Sequence, residues 1–224
     1  VIILGSVAVL AIFLFVGWAV SSEMFQHRAW RRRVEAGDVD IVGALIEEAL
    51  STWRRGRPPQ GVPANLWAGV QAAQLVAVTE DGATLSTAAE GEFRSEDGRR
   101  VQASSALDEA IALAARLLDM MLYDVPNLRL GFVRVDVYST FTGADGTPVQ
   151  QPILTTTADR AIADDLTWEA LTPAEVLGRF ETVYERGPSG QGQAIELPPV
   201  VGSPPRETEA AAAEFAAREA EGRA

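Results

Sequence analysis

The chain has 224 residues, 19 of them basic and 31 acidic, with a net charge of −12, and every basic residue is an arginine. The absence of cysteine excludes thiol nucleophiles, Cys-ligated zinc, iron–sulfur clusters and disulfides, and the absence of lysine excludes P-loop and Schiff-base chemistry. A single histidine leaves no paired-imidazole metal cage, and the negative charge argues against a phosphate-binding face, so no metal, cofactor or nucleic acid is expected.

Residues 1–20, VIILGSVAVLAIFLFVGWAV, carry no charge. At about 1.5 Å per residue such a helix spans about 30 Å, the hydrocarbon thickness of a bilayer. Every helical face is apolar, which predicts a spanning segment over residues 1–22 rather than a surface helix. A cleaved signal peptide is the rival, but no basic side chain precedes the run and WAVSSE is a poor cleavage site. Trp18 sits near the end of the run, where an indole prefers the interface.

The flank that follows, residues 23–37, contains His27, Arg28, Trp30, Arg31, Arg32 and Arg33. These residues are read, with Trp18, as a membrane-interface group. The guanidinium groups meet anionic headgroups and the aromatic rings lie at the boundary. Four arginines on the C-terminal side of the span and none before it predict an N-terminus outside and the rest of the chain in the cytoplasm of a bacterial cell, anchored in its inner membrane. His27 is an interfacial polar residue on this reading.

Residues 38–187 read as one soluble domain. Asp38 caps a helix over residues 39–55, where Val42, Leu45, Ile46, Ala49, Leu50 and Trp53 recur at helical spacing and Gly56 and Pro58 stop it. Leu66 and Trp67 belong to a short helical turn. Ser105 and Asp108 form a capping box for a second helix over 106–123. Asp119, near its C-terminal end, lies where the helix dipole raises a carboxyl pKa. Thr172, Pro173 and Glu175 open a third, whose buried stripe is predicted as Val176, Leu177, Phe180, Val183 and Tyr184.

Between the helices, hairpins are predicted at Asp81-Gly82, Asp97-Gly98 and Asp145-Gly146. The turns lack the alternating acidic ladder of a calcium loop. A change of parity between Leu130 and Val133 predicts a bulge at Gly131-Phe132. The expected fold is therefore α+β: a single transmembrane helix, then an antiparallel sheet of hairpins packed against about three helices. Residues 188–224 turn to Gly, Ser, Gln and Pro and then to Ala and Glu, which predicts a linker and a mobile tail.

Arg134, Asp136 and Tyr138 share one face of a long strand and form the candidate ligand-binding trio, with Asp159 and Arg160 as cross-strand neighbours. A solvated sheet face explains the same alternation. The loop GPSGQG follows a helix and leads into a linker, so it fits neither a phosphate loop nor a serine elbow. No catalytic constellation emerges. The expected role is a single-pass, non-catalytic accessory, scaffolding or assembly subunit that meets the bilayer and protein partners within it. The alternatives are a membrane-tethered enzyme or small-ligand sensor built on carboxylate, arginine and hydroxyl groups, and an extracytoplasmic anchored binding domain.

Overall fold

A computed structural model describes residues 38–96, 99–143, 145–188 and 190–205. The predicted span, the membrane-interface residues and the Ala/Glu-rich end of the tail lie outside the described residues. Among the described residues no helix is long and apolar enough to cross a membrane.

Helix α1, Val39–Arg55, begins where the Asp38 carboxylate accepts from the Asp40 amide, and it buries Val42, Ile46, Ala49 and Leu50. Helix α2, Ala64–Gln71, sinks Trp67, whose indole donates to the Gly56 carbonyl left open at the end of α1. Helix α3, Ala106–Asp119, starts from the expected Ser105–Asp108 capping box and continues into one wide turn, Met120–Asp124. Its apolar stripe lies across the centre of the sheet.

The sheet has six strands in the order β1-β2-β5-β6-β7-β8: Gln74–Val78, Gly82–Ala88, Phe132–Thr142, Pro148–Asp159, Glu181–Arg186 and Gly192–Gln193. A separate hairpin pairs β3, Phe93–Glu96, with β4, Arg99–Gln102. The α+β class is as expected, but the sheet is mixed, because β2 and β5 run parallel along their whole contact. The chain between them carries the β3–β4 hairpin and α3, which form a crossover rather than a simple meander. Among the described residues there are five α-helices instead of about three. Two short ones, α4 at Arg160–Ala163 and α5 at Pro173–Leu177, add to those above.

The third predicted helix is corrected. The Thr172–Glu175 capping box forms, but the helix stops after Leu177 and the chain enters β7. Tyr184 and Thr182 pair with Leu154 and Thr156 of β6 there. The anticipated bulge is also elsewhere. Strand β5 starts at Phe132, and the register slips in β6, where Ile153 is the extra residue between the Val137–Leu154 and Tyr138–Pro152 pairs.

Side chains alternate strictly across β5. Val133, Val135 and Val137 face the helices and the apolar core, together with Ala83 and Leu85 of β2. The opposite face carries Arg134, Asp136 and Tyr138, and among the described residues no helix covers it. Residues 194–205, predicted as linker, lie there as an extended strap. The Ile195 amide donates to the Pro152 carbonyl, and Val78 and Ser203 exchange backbone hydrogen bonds at 2.9 Å.

Candidate functional site

The trio picked out by strand parity is brought together, and only part of it is open. Arg134 is 7 % exposed and Asp136 2 % exposed, while Tyr138 is half-buried. The Arg134 Nε donates to Asp136 Oδ1 at 2.9 Å, and the Thr155 hydroxyl, from the adjacent position on β6, donates to the same oxygen at 2.6 Å. The remaining face of the guanidinium meets the strap. Nη1 donates to the Pro199 carbonyl at 3.1 Å and Nη2 to the Pro198 carbonyl at 2.9 Å. Two prolines suit this position, since a residue without an N–H cannot join a ladder but keeps a strong acceptor. Burial pushes the Tyr138 phenol above its ordinary pKa, the Asp136 charge adds to the rise, and Arg134 opposes it.

The cluster is therefore a closed polar unit: one buried cation, one buried anion, one hydroxyl and two main-chain acceptors from a distant part of the chain. Burying such charges is tolerable only where their hydrogen bonds are met. The strap supplies the last two. Thr155 and the two prolines were not singled out from sequence. Register places Thr155 opposite Asp136, a signal readable only once β6 is paired with β5. Pro198 and Pro199 leave no local signal of a partner more than sixty residues away.

Asp159 and Arg160 do not form the expected ion pair with the trio. The Asp159 carboxylate accepts from the Ala161 amide at 2.7 Å and starts α4. Arg160 turns away to the Leu130 carbonyl at 2.5 Å and to the Leu122 carbonyl, with its guanidinium 5.3 Å from the Tyr123 ring centre. It ties the wide turn after α3 to the start of α4.

Clefts open elsewhere on the domain. One, of about 590 Å³, lies between the start of α1 and the end of the strap and is lined by Asp38, Asp40, Glu47, Val78, Ser203 and Pro205. Another, of about 380 Å³, lies between the β3–β4 hairpin and the β5–β6 turn, with Glu90, Phe93, Gln102, Ser139 and Phe141 in its wall. Neither takes in the trio. Among the described residues no group of three or more acidic or imidazole side chains is placed to hold a metal ion. Asp119 sits beside Arg116, with the Arg116 Nη1 at 2.7 Å from its carboxylate. Burial pushes the Asp119 pKa up, Arg116 opposes this, and the charges of Asp124 and Glu169 add to the rise.

Fold and site together define a class: an α+β domain whose mixed sheet has helices on one face and an arginine-latched strap on the other. No protein-family model matches the chain, and neither a curated protein nor a solved structure matches it.

Proposed function

We propose that the protein is a single-pass, membrane-anchored accessory or assembly subunit whose domain works by contact rather than by chemistry. Residues 1–22 span the inner membrane of a bacterial cell with the N-terminus outside, and the four arginines that follow hold the domain on the cytoplasmic side. The observation that carries the non-catalytic part is the Arg134–Asp136–Thr155 cluster. It is the most fully buried polar constellation among the described residues, and its donors are taken up by Asp136 and by the two prolyl carbonyls of the strap. A substrate group approaching Arg134 would have to displace the strap first. Sensor or enzyme readings built on the trio need an open pocket there, and the strap fills that place.

A partner is supported by exposed apolar side chains on the domain: Val183, Tyr184, Val200 and Val201 are each more than two-fifths exposed. The test is purification of the tagged full chain in mild detergent. The same membrane proteins recovered in repeated preparations support the subunit role, and repeated recovery of the chain alone counts against it. The side of the membrane is tested separately by Thr142→Cys and Ser203→Cys in intact cells. Both sites should resist an impermeant thiol reagent until the cells are broken, and labelling of intact cells would place the domain outside.

A further inference from the structure

The strap is held lightly for a segment that seals a buried ion pair. Among the described residues its hydrogen-bonded anchors lie at three places: Ile195 on Pro152 of β6, Pro198 and Pro199 on Arg134 of β5, and Ser203 on Val78 of β1. Most of its residues are exposed. Val200 and Val201 are 46 % and 69 % exposed, and the apolar hold is confined to half-buried Ile195 and Leu197 and to buried Pro205. Segments with few buried contacts open at far lower free energy than a core.

What the strap leaves behind is not a surface that suits water alone. Arg134, held by Asp136, presents two donors to two consecutive prolyl carbonyls, and Val183, opposite Thr155 in the register, adds an exposed apolar group to the same sheet face. The occupant that satisfies the two Arg134 donors is residues 194–205 themselves. A second copy carries the identical segment. The chain reverses before the strap at Gly187, Gly190 and Gly192, with Gly190 at φ +80°. That reversal is closed by the Gly187 amide on the Gln191 carbonyl. Glycine at the reversal also adopts the extended geometry needed to open it.

We propose that two copies of this chain exchange their straps, the Pro198 and Pro199 carbonyls of each seating on Arg134 of the other. The exchange replaces each contact by its equivalent, so its free-energy cost is small and it is favoured by high local concentration. Two straps crossing side by side bring Val183, Val200 and Val201 of both copies to one interface, which gives the exposed apolar groups a partner. Anchoring in a membrane raises the local concentration further, but the exchange itself does not depend on that anchor.

The cysteine-free chain makes the test direct. Val78 and Ser203 are paired across an antiparallel bridge, where Cα atoms lie about 5.5 Å apart, within the range a disulfide spans. Two full-length forms with different tags, one Val78→Cys and the other Ser203→Cys, are co-expressed and mildly oxidised. Exchange gives a disulfide-linked pair containing both tags, in clear excess over same-tag pairs, and Gly202→Ala in the Ser203→Cys form reduces it severalfold. The full chain carrying both cysteines is the folding control, since its strap has a bonding partner in either arrangement. An absence of two-tag pairs while the doubly substituted chain closes only within itself overturns the proposal.

Discussion

Arg134 donates from three of its nitrogens, to Asp136, Pro198 and Pro199, and each bond depends on the side chain being fixed by the others. Replacing it with alanine leaves the Asp136 carboxylate buried with only Thr155 as donor. Loss of one partner of a buried pair costs about 3–5 kcal/mol. Arg134→Ala should therefore lower the urea unfolding free energy by about that much, whereas Arg134→Met combined with Asp136→Leu should cost clearly less. Equal losses in the two variants would show that the pair is not the source. Asp119 behaves in the opposite sense to a stabilising carboxylate. Its folded pKa is raised, chiefly by burial and against the pull of Arg116. Its contribution is thus present in full below the unfolded value of about 3.9 and is lost as pH rises through the folded value. Asp119→Asn should gain stability relative to the parent as pH climbs through that window in a melting series. A gap between the two that narrows with rising pH would contradict the sign. Strand parity was enough to place Arg134, Asp136 and Tyr138 on one face. Their burial was not legible, because it depends on a segment far along the chain.

Local rules act well at the level of single elements, and they fail where a partner strand intervenes. The caps at Asp38, Ser105 and Thr172 all form, because a side-chain oxygen and an amide two or three residues away need nothing else. The residues after Leu177 read equally well at a spacing of 3.6. Yet Val183 and Tyr184 are also β-favouring residues, and pairing with β6 decides between the two periods. The Thr182 hydroxyl marks the switch by donating to the Leu177 carbonyl, which also accepts from the Phe180 amide. Asp108 joins two elements at once. It caps α3 through Ser105 and meets the Arg186 guanidinium of β7 at 2.8 Å. Burial alone would raise its pKa, but the hydrogen bonds of Ser105 and Arg186 outweigh it and hold the carboxyl below its ordinary value. That stability is present above the unfolded pKa and is lost as pH falls through the folded one. Asp108→Asn should therefore melt lower than the parent at neutral pH and converge with it in acid. For the strap, Gly202 is decisive: its φ is +118°, and a Cβ there would lie 2.5 Å from the Val78 carbonyl oxygen. Gly202→Ala should speed amide exchange at Ser203 by at least tenfold while leaving the centre of β5 protected. Unchanged protection at Ser203 would show that the bridge tolerates the methyl group.

The whole molecule is organised by two contacts that no local pattern announces: the parallel pairing of β2 with β5 and the return of the strap to Val78. Both join positions separated by dozens of residues, and their closure is favoured only after the intervening elements have formed. The return also places the end of the described chain beside its beginning, since Asp38 and Pro205 line the same cleft. The described residues therefore begin and end on one side of the domain. Deleting residues 1–22 should transfer the protein from the membrane fraction to the supernatant after an alkaline wash. Retention in the membrane would mean that another part of the chain holds it there. Residue types and patterning along the sequence by themselves determined the excluded chemistries, the starts of α1, α3 and α5, the α+β class and the alternating faces of β5, because each depends on neighbours within a turn or a strand. Only the tertiary structure decided that the sheet is mixed, that β7 is a strand, and that Arg134 is latched by Pro198 and Pro199. Those outcomes rest on which distant backbone groups find one another, and a buried guanidinium accepts whatever carbonyls the folded chain brings to it.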